Sequence, residues 1–294
     1  MKKTENNKDK DYFKFSLGAL DLIVVSDGEF ELDPIQPLFA PDVDPDQIIS
    51  FLEDHSHVTH KLVFEGNVLV VKNDEHTVLI DSGSGKASGP SAGKILKHLS
   101  AAGIEKEDIT EIVLTHAHHD HIGGIMDENG SFTFPNATIY ISQHEHDFWM
   151  SEKPDFSKGS ENEMAEFQRT FAKKHIEFAI PRLKFFGDND VLFGFLRLNL
   201  TPGHTPGHTA ITIFSQGEEL VHFADIFQHV LLLGNPDWGN QVDVDFKMAV
   251  QTRKDMGEQL SSTRKITFGD HLPFPGLGFI ERKGEILHWI PKEL

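Results

Sequence analysis

The sequence contains no cysteine. That excludes disulfides, thiolate nucleophiles and cysteine-based zinc sites together, and it suits either redox compartment. Only two tyrosines and three tryptophans stand against 24 phenylalanines, so aromatic area comes mostly without a polar handle and a greasy pocket is easy to build. No apolar run approaches the ~18 residues of a membrane helix. The stretch from Met1 to Lys10 is polar and has no apolar region behind it, so it does not read as a signal peptide. Residues 1–12 are therefore expected to form a solvated tail, and the protein to be cytoplasmic with no membrane insertion. Basic residues are few, 27 against 46 acidic ones, and the formal net charge is −19. Such a surface does not neutralise phosphates, which argues against nucleic acid as a partner and against a nuclease.

What is present is concentrated in one stretch. Thr115-His116-Ala117-His118-His119-Asp120-His121 follows the apolar run Ile112-Val113-Leu114, which reads as a short buried strand. The pattern His-x-His-x-Asp-His supplies imidazole and carboxylate, the ligands Zn²⁺ takes where cysteine is absent. A solvated histidine-rich loop is the bland alternative. It is disfavoured because His204, Asp225 and His271 each stand at the end of a strand-like run downstream, where open α/β sheets place ligands. Together these make five histidines and two aspartates, enough for two adjacent metals. One metal would take His116, His118 and His204; the other would take Asp120, His121 and His271; Asp225 and a hydroxide would bridge them. Nitrogen and oxygen ligands suit two Zn²⁺ best, with Co, Mn, Fe or Ni as alternatives. His119 is expected to point outward. Asp81, at the end of the run Thr77–Ile80, and His208 are expected to orient the ligands from behind. Gly85-Lys86 does not make a phosphate loop, since Ala87 stands where Ser or Thr is required. His55, His57 and His60 have no carboxylate motif beside them and read as surface or supporting histidines.

Strand-like runs fall in both halves of the chain with helices between them and no linker. This predicts one domain over residues 13–294 with an internal quasi-repeat. Ile95, Leu96, Leu99 and Ala102 have helical spacing, and a helix is expected from Phe246 to Leu260. Residues 33–46, rich in Pro and Asp, read as a loop at a rim or a partner contact, weak support for a homodimer. Residues 144–180 look like a helical insertion over a pocket. Within it, His144-Glu145-His146-Asp147 reads as a solvated helix start, since residues two apart do not share a helix face. Trp149, Met150 and Phe156 are either apolar pocket lining or ordinary core, and both readings stay open for Trp149.

With Asp81-Ser82-Gly83, the His-x-His-x-Asp-His motif, Thr201-Pro202-Gly203-His204-Thr205-Pro206-Gly207-His208, Asp225 and Gly269-Asp270-His271, the chain resembles the metallo-β-lactamase superfamily from about residue 15 to 291. The resemblance implies an α/β fold, an αββα four-layer sandwich, with a dinuclear zinc hydrolase site. Phe134-Pro135-Asn136-Ala137, His146-Asp147-Phe148-Trp149, Asp225-Ile226-Phe227 and His271-Leu272-Pro273-Phe274-Pro275-Gly276 look like the methyl parathion hydrolase branch and the quorum-quenching N-acyl-homoserine lactonases within it. By that likeness a small-molecule lactone with an acyl chain is the substrate, opened by a metal-bridging hydroxide. Asp120 would shuttle the proton and Trp149 would line the substrate pocket. A phosphotriesterase, or another ester or lactam hydrolase, is the alternative. One departure stands out. Better-known lactonases place a tyrosine three residues after the bridging aspartate, where this chain has Gln228 followed by His229; its tyrosines, Tyr12 and Tyr140, are elsewhere. Gln228 and His229 are the candidates for that hydrogen bond.

Overall fold

The computed structural model describes residues 11–55 and 58–293. Most of the expected N-terminal tail, and His57, lie outside the described residues; Tyr12 already opens the first strand. Fourteen strands form two seven-stranded sheets, each built from one half of the chain. The first contains β1 (Tyr12–Leu17), β2 (Leu20–Leu32), β3 (Leu62–Lys72), β4 (Thr77–Ile80), β5 (Glu111–Val113), β6 (Thr138–Ser142) and β7 (Leu183–Phe186), in that spatial order. The second contains β8 (Val191–Leu192), β9 (Leu196–Leu200), β10 (Thr209–Ser215), β11 (Glu218–His222), β12 (Ile266–Phe268), β13 (Leu277–Lys283) and β14 (Ile286–Pro291), again neighbour to neighbour. Pairing is antiparallel from β1 to β4 and parallel from β4 to β7. In the second sheet only β11 and β12 run parallel. The helices are α1 (Pro45–His55), α2 (Ile95–Ala101), α3 (His119–Ile122), α4 (Gln143–Met150), α5 (Glu163–Ala179), α6 (Val230–Gly234) and α7 (Phe246–Thr263).

The layers follow from side-chain alternation. Runs such as Leu22-Ile23-Val24-Val25 and Val68-Leu69-Val70-Val71 are apolar at every position because both faces of the sheet are covered. Leu22, Val24, Leu69 and Val71 meet Leu196, Leu198, Ile211 and Ile213 between the two sheets. Ile23, Val25, Val68 and Val70 face the other way, against Ile95 and Leu99 of α2. On the far side of the second sheet, Val221 and Ile280 pack on Met256 and Leu260 of α7. This helix–sheet–sheet–helix order is the expected αββα sandwich. No helix among the described residues is long and apolar enough to cross a membrane.

The segment expected as an insertion consists of α4 and α5. Asn162 caps α5, its side chain accepting from the Ala165 amide at 2.9 Å. Packing chooses between the readings that the sequence of this segment leaves open. Trp149 is fully buried and Phe156 nearly so, in the core cluster between the first sheet and α5, with Met150 packed against it. They pack there with Ile141 of β6 and Ala165 of α5. The start of α4 is solvated except at one position: His144 and Asp147 are exposed and His146 is half-buried, but Glu145 has no exposed surface.

Candidate metal centre

The seven candidate ligands converge at one end of the sandwich. His116 and His118 follow β5, Asp120 and His121 sit in α3, His204 lies between β9 and β10, Asp225 follows β11 and His271 follows β12. Strand ends supply most of them because a strand fixes the direction of the chain while the loop beyond it is free to turn a side chain inward.

Two groups form. His116 Nε2 lies 3.1 Å from His118 Nδ1, and His118 Nδ1 lies 2.9 Å from His204 Nε2. Asp225 Oδ2 completes this group, 3.1 Å from His204 Nε2 and 3.8 Å from His116 Nε2. In the second group Asp120 Oδ2 is 3.5 Å from His271 Nε2 and 3.8 Å from His121 Nε2. Asp225 Oδ1 reaches it too, 3.1 Å from His271 Nε2 and 3.3 Å from His121 Nε2. Asp225 thus faces both groups with one oxygen each. Buried imidazole nitrogens that point at one another compete for one proton per contact, whereas a cation among them satisfies all their lone pairs. His121 Nε2 and Asp225 Oδ1 are buried without a hydrogen-bond partner, and a cation among them would satisfy both. The donor set fits divalent cations.

His121, His271 and His204 are each aimed by the bond that the other ring nitrogen makes. His121 Nδ1 donates to Asp81 Oδ2 at 2.8 Å, and His271 Nδ1 to the Glu65 carbonyl at 2.9 Å. Asp81 is itself held by the Thr115 amide and hydroxyl, both at 2.8 Å, and its φ of 61° shows a backbone bent into the left-handed region to reach this post. His204 Nδ1 donates to Asp243 Oδ1 at 3.0 Å. His208 stands behind the cluster, its Nε2 accepting from the Asp225 amide at 3.0 Å. Burial, with the charge of His204, pushes His208 down to about 3, so it stays neutral and able to accept.

Charge follows the same geometry. Burial alone would raise the Asp120 carboxyl, but the imidazoles of His119, His121 and His271 outweigh it and hold it at about 2. Burial would likewise raise Asp225, which His271 and His121 keep well below the carboxylate range. Both aspartates are therefore ready as anionic ligands. Burial keeps His116 and His118 far below the usual imidazole value.

Sequence reasoning misses two supports. Asp243 is buried in a loop with no periodic pattern, so its sequence carries no signal. Arg253 does carry one: it sits in the buried stripe of α7 with Ala249, Met256, Gly257 and Leu260, where a charge demands a partner. Its Nη2 donates to Asp243 at 2.7 and 3.0 Å, and its Nε to the Ile226 carbonyl at 3.1 Å. Arg253→Met is expected to destabilise the fold by about 3–5 kcal/mol, because it leaves the Asp243 carboxylate buried without its cation. Denaturant unfolding of the variant checks this.

Above the cluster is a cavity of about 180 Å³. Phe30, Leu32, Leu38, Phe39, Phe64, Met164 and Val242 form its apolar walls, and no Lys or Arg is among the residues lining it. Leu38 and Phe39 come from the 33–46 loop, so that loop is part of the rim. Trp149, Met150 and Phe156 do not line the cavity; Trp149 packs edge-on behind His118, ring centres 5.8 Å apart. Gln228 does line it, with Nε2 3.5 Å from Asp225 Oδ2 and Oε1 accepting from Asn240 at 2.7 Å. His229 does not; its Nδ1 accepts from the Leu231 amide at 3.2 Å and caps α6 behind Phe64. His119 turns inward rather than outward. Gln168 of α5 accepts from its amide at 3.0 Å and donates to its Nδ1 at 2.8 Å.

Residues 62–281 match the family description of the metallo-beta-lactamase superfamily, and the chain belongs to that superfamily. Within it, the structure is similar to AidC, a dizinc quorum-quenching lactonase solved with a product bound: TM-score 0.92 and 36% identity over 97% of this chain and 98% of that one. It is also similar to the hydrolase AbOPH, with TM-score 0.86 and 28% identity over 97% of this chain and 98% of that one. In sequence, an N-acyl homoserine lactonase of Bacillus cereus is 30% identical over 131 residues, 44% of this chain and 42% of that protein. One from Bacillus thuringiensis is 25% identical over 186 residues, 54% of this chain and 65% of that protein. The chain thus matches less than two thirds of the length of these curated relatives.

Proposed function

We propose that the protein is a metal-dependent hydrolase that opens the ring of N-acyl-homoserine lactones, with two Zn²⁺ held by His116, His118, His204, Asp120, His121, His271 and the shared Asp225. The observation that carries this reading is Asp225 facing two histidine groups at the floor of an apolar cavity. The likeness to a dizinc lactonase along nearly the whole chain supports it.

When bound, the two metals supply Lewis acidity and lower the pKa of water. The chain's own residues then have separate tasks. The apolar walls around Phe39, Phe64 and Val242 take the acyl chain and exclude water. Gln228, its carbonyl fixed by Asn240, offers an amide N–H to the lactone carbonyl in place of the missing tyrosine. Asp120, kept ionised, accepts the proton of the attacking water. As the water oxygen bonds to the carbonyl carbon, the carbon–ring oxygen bond breaks and Asp120 returns that proton to the ring oxygen. The product carries a hydroxyl and a carboxylic acid, and the acid loses its proton to solvent to become a carboxylate.

Among the described residues no Lys or Arg lines the cavity, which favours an uncharged substrate. A neutral lactone with a neutral tail enters without an unpaired charge, whereas a β-lactam carboxylate among the apolar walls would find no cationic side chain to pair with. Three phenylalanines in the wall also suit an aryl phosphotriester, which makes that substrate the informative rival. With the zinc-reconstituted protein, kcat/KM measured by proton release is expected to be greatest for long-chain homoserine lactones, lower for an aryl phosphotriester and lowest for a carboxylate-bearing β-lactam. A phosphotriester rate above the lactone rates would overturn the proposal.

A further inference from the structure

We propose that Glu145 is the positioning residue of the three-histidine group, its carboxylate tying the turn of His116 and His118 to the turn of His204 and His208. The inference rests on the metal-binding reading above.

Glu145 sits in the first turn of α4 and has no exposed surface. Oε1 accepts from the Ala117 amide at 2.9 Å and from Trp149 Nε1 at 2.6 Å. Oε2 accepts from the Thr205 hydroxyl at 2.6 Å and from the Gly207 amide at 3.0 Å. Each donor is placed to matter. Ala117 lies between two candidate ligands, Thr205 follows a third, and Gly207 precedes the histidine that holds the Asp225 amide. Trp149, the remaining donor, is the ring packed on His118. One side chain therefore bonds to both loops that carry the group and to the aromatic ring behind it.

The chemistry requires a carboxylate. Four donors converge on four lone pairs, two per oxygen. A carboxamide has one accepting oxygen, and its NH₂ would meet two donors head-on. Glu145 has no ion-pair partner among the described residues, so it is held as an anion only by these dipoles, against the cost of burial. Burial pushes its carboxyl up while the four bonds pull it down. The contact is close as well as polar. A Cβ on Gly207 would stand 2.2 Å from the Glu145 nitrogen and 2.5 Å from its Cα, so the turn can approach the helix only as glycine. A merely structural glutamate would not need to reach both ligand loops.

The test titrates the metal-free full chain with Co²⁺, followed by its visible absorption, and with Zn²⁺ by equilibrium dialysis. The wild type is expected to bind two equivalents. Glu145→Gln is expected to keep one equivalent at wild-type affinity, that of the Asp120, His121 and His271 group, and to bind the other about 10–100-fold more weakly. Thr205→Val, which deletes one of the four bonds, is expected to weaken the same equivalent by a smaller factor, and it serves if Glu145→Gln does not fold. Wild-type affinity for both equivalents in a folded variant would overturn the proposal. So would parallel weakening of both equivalents with the loss of thermal stability, the mark of a general structural role. A wild type that binds neither ion would sink the metal reading and this inference with it.

Discussion

Asp225→Ala is expected to reduce bound metal from two equivalents to one or fewer and to lower kcat/KM for the lactone by at least about 10³-fold, a loss of about 4 kcal/mol of transition-state stabilisation. The reason is that this carboxylate is shared. Its Oδ2 stands 3.1 Å from His204 Nε2 and its Oδ1 3.1 Å from His271 Nε2, so truncation removes an anionic donor from both groups at once. The imidazoles left behind are neutral donors, and two divalent ions facing each other without that carboxylate between them would repel more strongly. No neighbour fills the gap: Gln228 beside it is neutral, and the Asp243 carboxylate is committed to Arg253 and His204. Metal analysis after dialysis, alongside the rate, checks the prediction. Two retained equivalents would show that Asp225 does not bridge.

Stripping the metals with a chelator is expected to lower the melting temperature by roughly 10 °C or more. A ligand present at about 100–1,000 times its Kd adds about 2.7–4.1 kcal/mol per site. For a chain of this length each kcal/mol moves the midpoint by about 2 °C. The stripped cluster also keeps buried polar atoms without partners, His121 Nε2 among them. Scanning calorimetry before and after chelation, and again after adding zinc back, measures the effect. An unchanged midpoint would mean that the cluster does not depend on metal.

The candidate ligands are legible in the sequence because the metal imposes residue type, and four of them stand within one heptapeptide beside a strand. His204, Asp225 and His271 are legible because they stand at or just beyond strand ends, where periodicity stops. The sandwich is legible in part, since runs such as Val68–Val71 reveal strands covered on both faces. β7, β13 and β14 are not: they are edge or near-edge strands with exposed positions such as Phe185, and no uninterrupted apolar run marks them. The pocket is the least legible part. Trp149 looks like a lining residue because it is large and lies in the segment near the site, yet only tertiary packing decides which way it faces. The walls come from Phe30, Phe39 and Phe64, residues distant in sequence from every ligand motif. Glu145 is illegible for a different reason: its neighbours His144, His146 and Asp147 are polar, and nothing local distinguishes a buried acid from a solvated one.

Each sheet comes from one half of the chain, and each ligand group draws on both halves. His116 and His118 need His204; Asp120 and His121 need His271. Metals held by these groups would therefore be sutures across the seam between the sheets. Neither half holds a complete site, so the ions can be gripped only after the two sheets have docked in register. A chain cut in the loop between Phe186 and Val191 would regain tight metal binding only when its two fragments reassociate, and loading would report assembly.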